Sequence, residues 1–156
     1  MKSISGLWKR FHENDSGQMG GIEAIPFGLL IFVVAALLLA NAWAVVDAKL
    51  AVDAAAREAA RTWVEGDGGE ADRAAAVDAG EEALAGHGRD PERVTIELVA
   101  PSGFGRCAVI EVVATYTVPA VPLPWIGGFG DGISVTARHS ERVDPFRDGL
   151  PGAAQC

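Results

Sequence analysis

Three histidines (His12, His87, His139) and two cysteines (Cys107, Cys156) are the side chains best suited to metal binding or nucleophilic chemistry. Their spacing supports neither. His12 precedes a long apolar run, and the other two histidines follow it. The cysteines stand 49 residues apart, which matches no zinc spacing. No HExxH, GxSxG or GxxxxGK[ST] pattern occurs. The Gly-rich stretch GGFGDG at 127–132 is followed by no helical pattern, so it reads as a loop and not as a phosphate cradle. No catalytic, cofactor-binding or metal-binding residue is assigned, no cofactor is expected, and the chain is not expected to be an enzyme.

Glu23 is the polar residue with the sharpest context. It immediately precedes Ala24–Val46, 23 residues without a charged side chain. A carboxylate at the head of a membrane helix needs a partner, and a free N-terminal amine on a neighbouring helix would serve. The alternative is a Glu in the headgroup region, facing the positive end of its own helix.

The apolar run sets the frame for everything else. As a helix it is ~35 Å long, enough for a hydrocarbon core of ~30 Å. Thirteen of its residues are Leu, Ile, Val or Phe. Together they favour insertion by ~4–8 kcal/mol, against ~2.5–3.5 kcal/mol for a carboxylate at mid-bilayer and less at the edge. Insertion wins. Orientation is not fixed by charge: Lys2, Lys9 and Arg10 before the run balance Lys49, Arg57 and Arg61 after it. Ala40-Asn41-Ala42 and Ala42-Trp43-Ala44 have the form of signal-peptidase sites. Against that reading, Trp43–Val46 carries the apolar run, and the helical pattern, straight through the cut.

The chain has 156 residues and a net charge of −8, with the acidity concentrated after Asp47. That balance argues against nucleic acid as a partner and against attraction to anionic lipid. About 110 residues outside the leader and membrane run suffice for one small domain. The Ala-rich stretch after the run contains no Gly or Pro until Gly66, which predicts one helix from Glu23 to Glu65. Val52, Ala56, Ala59 and Trp63 give it a packing stripe. A second helix is expected over Glu70–Leu84, with Ala74, Val77 and Leu84 as its apolar face.

From Val94 the period changes to two. Three strands are expected: Val94–Leu98, Cys107–Val118 and Ile133–Glu141, forming an antiparallel sheet on the helices. The fold class is therefore α+β. The link between the last two strands, PAVPLPWIGGFGDG, carries Val121, Leu123, Trp125, Ile126 and Phe129. It either contacts a partner or the membrane surface, or folds back over the sheet. Residues 145–156 read as an irregular tail. If the domain lies outside the cytoplasm, its even cysteine count predicts a Cys107–Cys156 disulfide; otherwise two free thiols are expected.

The order of these parts resembles that of type IV pilin-like proteins, and more narrowly the TadE-like family of tight-adherence pilus proteins. The resemblance is carried by Ser16-Gly17-Gln18 with Glu23, by KLAVDAAAREAAR at 49–61, and by the late strands VIEVVATYTVP and ISVTARHSER. It implies a minor pilin or pseudopilin anchored in the cytoplasmic membrane. Residues 1–17 would be a cytoplasmic leader that a prepilin peptidase removes between Gly17 and Gln18. Residues 18–65 would form the membrane and extended helix, and residues 66–144 an extracytoplasmic domain followed by the tail. That cut leaves Glu23 sixth in the mature chain, where the family usually has its Glu fifth. The implied partners are membrane lipid, other pilin-like subunits, pilus assembly membrane proteins and the peptidase. The competing class is a single-pass, membrane-anchored extracytoplasmic protein that stays out of any filament.

Overall fold

The computed structural model describes the backbone of residues 19–119 and 132–156, and side chains from Ala24 onward within those ranges. Helix α1 runs Met19–Glu65, and α2 runs Glu70–Gly86. A short 3-10 turn at Pro91–Arg93 leads into strand β1, Val94–Val99. Strand β2 runs Val109–Val118 and β3 runs Ile133–Arg142. The strands form one antiparallel sheet in the order β1-β2-β3. The α+β class is as expected. The chain divides into two compact units, with the boundary between Ala40 and Asn41.

The first unit contributes the apolar half of α1. Pro26 lies in its early turns and does not interrupt it. The second unit begins at Asn41 and holds the whole core. Ala48, Ala51, Val52, Ala55, Ala56, Ala59, Ala60 and Trp63 on α1 are all buried. This stripe is wider than the four residues the 3.6-residue period singles out. Its small side chains let the neighbouring elements approach the helix closely.

Helix α2 meets α1 at a glycine. A Cβ on Gly80 would stand 2.5 Å from Ile96 Cδ1, 3.1 Å from the Ala55 carbonyl oxygen and 3.2 Å from Ala59 Cβ. The buried face of α2 is Ala76, Gly80 and Leu84, one residue every four. The expected face is corrected here: Ala74 is exposed and Val77 only half-buried. Nine of the 17 residues of this helix are Ala or Gly, so the sequence offers little contrast between Ala74 and Ala76. At the start of α2, the Asp72 carboxylate accepts from the backbone N–H of Asp67 at 2.7 Å and Gly69 at 3.3 Å. The bond from Gly69 thereby satisfies the N-cap donor of the helix, and the bond from Asp67 ties down the turn before it.

The inner face of β2 is Ile110, Val112, Ala114, Tyr116 and Val118, all buried, as the alternation predicts. On the outer face Thr115 and Thr136 stand opposite each other with hydroxyls 3.1 Å apart. Arg138 donates to Glu111 at 3.2 Å beside them. Strand β2 starts at Val109 rather than Cys107. Cys107 has φ of +63°, and the N–H of Ala108 turns back to the Gly105 carbonyl at 3.1 Å. Such a backbone cannot continue a strand.

Residues 143–156 contain no helix or strand, yet they are fixed to the core. Val143 and Leu150 are buried. The Arg106 N–H donates to the Pro151 carbonyl at 2.8 Å, and the Val143 N–H to the Ala108 carbonyl at 2.9 Å. Arg147 donates to the Val64 carbonyl at 2.6 Å, satisfying one of the acceptors left open at the end of α1.

Candidate functional site

The apolar half of α1 is the most distinctive surface of the chain. Ile25, Phe27, Leu29, Leu30, Ile31, Phe32, Leu38 and Leu39 are all exposed. In water each would be left unburied, at a loss of roughly 1.5–3 kcal/mol per side chain. Among the described residues, one helix is thus long and apolar enough to cross a membrane. Around Ala40–Ala44 the helix continues without the extended segment a signal-peptidase site requires.

Glu23 lies within α1, so its backbone is helical. Its side chain, together with Gly17 and Gln18, falls outside the described residues. The apolar link carrying Val121, Leu123, Trp125, Ile126 and Phe129 also falls outside them.

The two cysteines are brought together. Their sulfurs are 1.96 Å apart, at disulfide distance, and their Cα atoms 5.5 Å apart. The pair joins the end of the tail to the turn before β2. It lies beside the Cys107–Val143 backbone bond of 3.1 Å, so the two attachments reinforce one segment.

Where α1 enters the folded unit, Arg89 packs against it. This residue follows α2, past Gly88, whose φ of +70° ends the helix. Its guanidinium donates to the Ala44 carbonyl at 3.3 Å and pairs with the Asp47 carboxylate. Asp47 is the first charged residue after the apolar run. Two residues further, Lys49 donates to the Thr136 carbonyl on β3. Sequence reasoning missed Arg89. The only available signal was that an Arg after a helix-ending glycine can fold back onto a neighbouring element.

At the other end, Arg73 spans Trp63 and β1. Its guanidinium lies 5.2 Å from the centre of the Trp63 ring and donates to the Leu98 carbonyl at 3.2 Å. Phe104 completes the cluster, 5.7 Å from Trp63. Both contacts are structural.

No family model, no curated protein and no solved structure matches this chain. Its functional reading therefore rests on its own residues. Among the described residues, no three His, Cys, Asp or Glu side chains converge to hold a metal ion. One surface groove lies between α2 and β1, lined by Glu70, Arg73, Val77 and Ile96. Another lies beside the disulfide, lined by Ser102, Phe104, Arg106 and Pro151. Neither brings a nucleophile and a base together.

Proposed function

We propose that this chain is a pilin-like, single-pass membrane protein. It acts structurally, not as an enzyme, in assembling a tight-adherence-type pilus or a related surface apparatus. The observation that carries the reading is one unbroken helix, Met19–Glu65. Its first half is an exposed apolar surface and its second half is the spine of a small α+β unit. The resemblance supplies the rest. A prepilin peptidase cuts after Gly17, the helix packs among other pilin-like helices in the cytoplasmic membrane, and the sheet unit stands outside. Glu23 pairs with the new N-terminal amine of a neighbouring subunit.

Glu23→Ala separates assembly from insertion. The residue costs little at the membrane edge against an insertion sum of ~4–8 kcal/mol, so the variant should reach the membrane at the wild-type level. In a weakly screened setting the lost pairing is worth about a few kcal/mol, so recovery in sheared surface filaments should fall. Equal recovery in both fractions would leave Glu23 as a helix-end residue and favour the non-filament alternative.

A further inference from the structure

The end of the folded unit at which α1 enters carries an apolar surface that none of the described residues covers, and the direction of each element locates it. Lys49 of α1 reaches Thr136 near the start of β3, while Arg147, just past β3, reaches Val64 near the end of α1. β3 therefore runs alongside α1 in the same direction, and Ile133 lies at the entry end. Arg89, just past α2, reaches Ala44 and Asp47, which brings the end of α2 there as well.

At this end Trp43 is 75% exposed, Val46 55%, Leu50 61% and Ile133 55%. The three α1 residues follow a 3-then-4 spacing, which places them on one face of the helix. The opposite side, at Ala44, Val45 and Ala48, is covered by the unit itself. The two sides of α1 thus change character at different heights. The covered side turns to protein packing at Ala44, while the open side stays apolar to Leu50. Twenty residues of the run beginning at Ala24 span ~30 Å, which brings the hydrocarbon edge to about Ala44–Val46. Leu50 is ~6–9 Å further on, about the depth of one headgroup layer.

We propose that this end of the folded unit is seated in the lipid headgroup layer. Trp43, Val46, Leu50 and Ile133 face lipid, and Arg89 holds the Asp47 carboxylate as an ion pair at that depth. The proposal rests on the membrane reading of α1. Trp43 suits such a position, since indole rings favour the interface. Continuity with the apolar run argues for lipid as the occupant. The net charge of −8 sets the character of the contact: it is apolar, and anionic lipid adds nothing to it.

The test places a benzophenone amino acid singly at Leu30, Leu50, Ile133 and Phe146 of the full chain. The protein is reconstituted in phosphatidylcholine vesicles, with or without phosphatidylglycerol, and irradiated. All four positions are exposed, so the substitutions leave the core intact. Phe146 neighbours Arg147, which reaches Val64, ~21 Å along α1 from Leu50 and clear of the bilayer. Lipid adducts at Leu50 and Ile133 should form within about twofold of the Leu30 yield and about tenfold above Phe146, whatever the lipid charge. Labelling at Leu30 without labelling at Leu50 and Ile133 overturns the proposal and leaves the membrane span standing. No labelling at Leu30 overturns both. Equal labelling at Phe146, a requirement for phosphatidylglycerol, or crosslinks from Leu50 to a second protein chain in place of lipid would each overturn the proposal alone.

Discussion

Replacing Gly80 by alanine sets two well-characterised effects against each other. In an exposed helix interior, Gly→Ala is worth about 1 kcal/mol of stabilisation, because glycine loses more backbone freedom on folding. At Gly80 the new methyl meets Ile96 Cδ1 at 2.5 Å, the Ala55 carbonyl oxygen at 3.1 Å and Ala59 Cβ at 3.2 Å. Ile96 can rotate away, since the contact is with the end of its side chain. The Ala55 carbonyl and Ala59 Cβ belong to the body of α1 and can yield only if the helices separate. Overpacking of this kind costs about 1–3 kcal/mol, and two rigid contacts point to the upper half of that range. The net expectation is a loss of about 1–2 kcal/mol. For an urea slope of about 2 kcal/mol per molar, the midpoint drops by roughly 0.5–1 M. The control is Gly86→Ala, at the end of the same helix, where a Cβ would meet nothing within 4 Å. It should match or slightly exceed the wild type. The assay is urea unfolding of the full chain in detergent micelles, followed by far-ultraviolet circular dichroism. A Gly80→Ala midpoint equal to or above that of Gly86→Ala would refute the close approach of α2 to α1.

Three further outcomes follow from the same packing and from the proposed leader. Cys156→Ser opens a loop of 49 residues and should lower stability by ~4 kcal/mol in the chain-entropy view, read as a urea midpoint against the wild type under non-reducing conditions. Alkylation of the unreduced, denatured wild type should label neither cysteine, and two labelled thiols would remove the basis of that figure. Arg147→Met removes the 2.6 Å bond to the Val64 carbonyl and should cost about 1–2 kcal/mol, as an unfilled charged cap at a helix end does; an unchanged midpoint would show that water replaces it. Gly17→Leu should abolish the mobility shift of leader removal, and a shift that persists would place the cut elsewhere.

The strands were legible because their alternation is strong. Ile110, Val112, Ala114, Tyr116 and Val118 could face only one way, and they are the buried side of β2. The stripe Val52, Ala56, Ala59 and Trp63 was equally readable, since Trp63 marks the buried face. Helix α2 was less so. Its contact residue is a glycine, Gly80, which no hydropathy pattern registers, and Ala74 reads like Ala76. The tail was readable only as irregular. Val143 and Leu150 have no periodic neighbours, and Arg106, Arg147 and the disulfide fix the segment through long-range contacts. Of the candidate site, the membrane run could be read directly from its length, and the cysteine pair from an even count only on the condition that the domain lies outside the cytoplasm. Arg89 could not, because its partners Ala44 and Asp47 lie more than 40 residues away.

The central claim is that this chain is processed and assembled as a pilin-like subunit. The most direct test is the intact mass and N-terminal sequence of the protein purified from its native membrane. The account predicts a mature chain that begins at Gln18 and has lost residues 1–17. A chain that still begins at Met1, or one that begins at Trp43 or Val45, would contradict it.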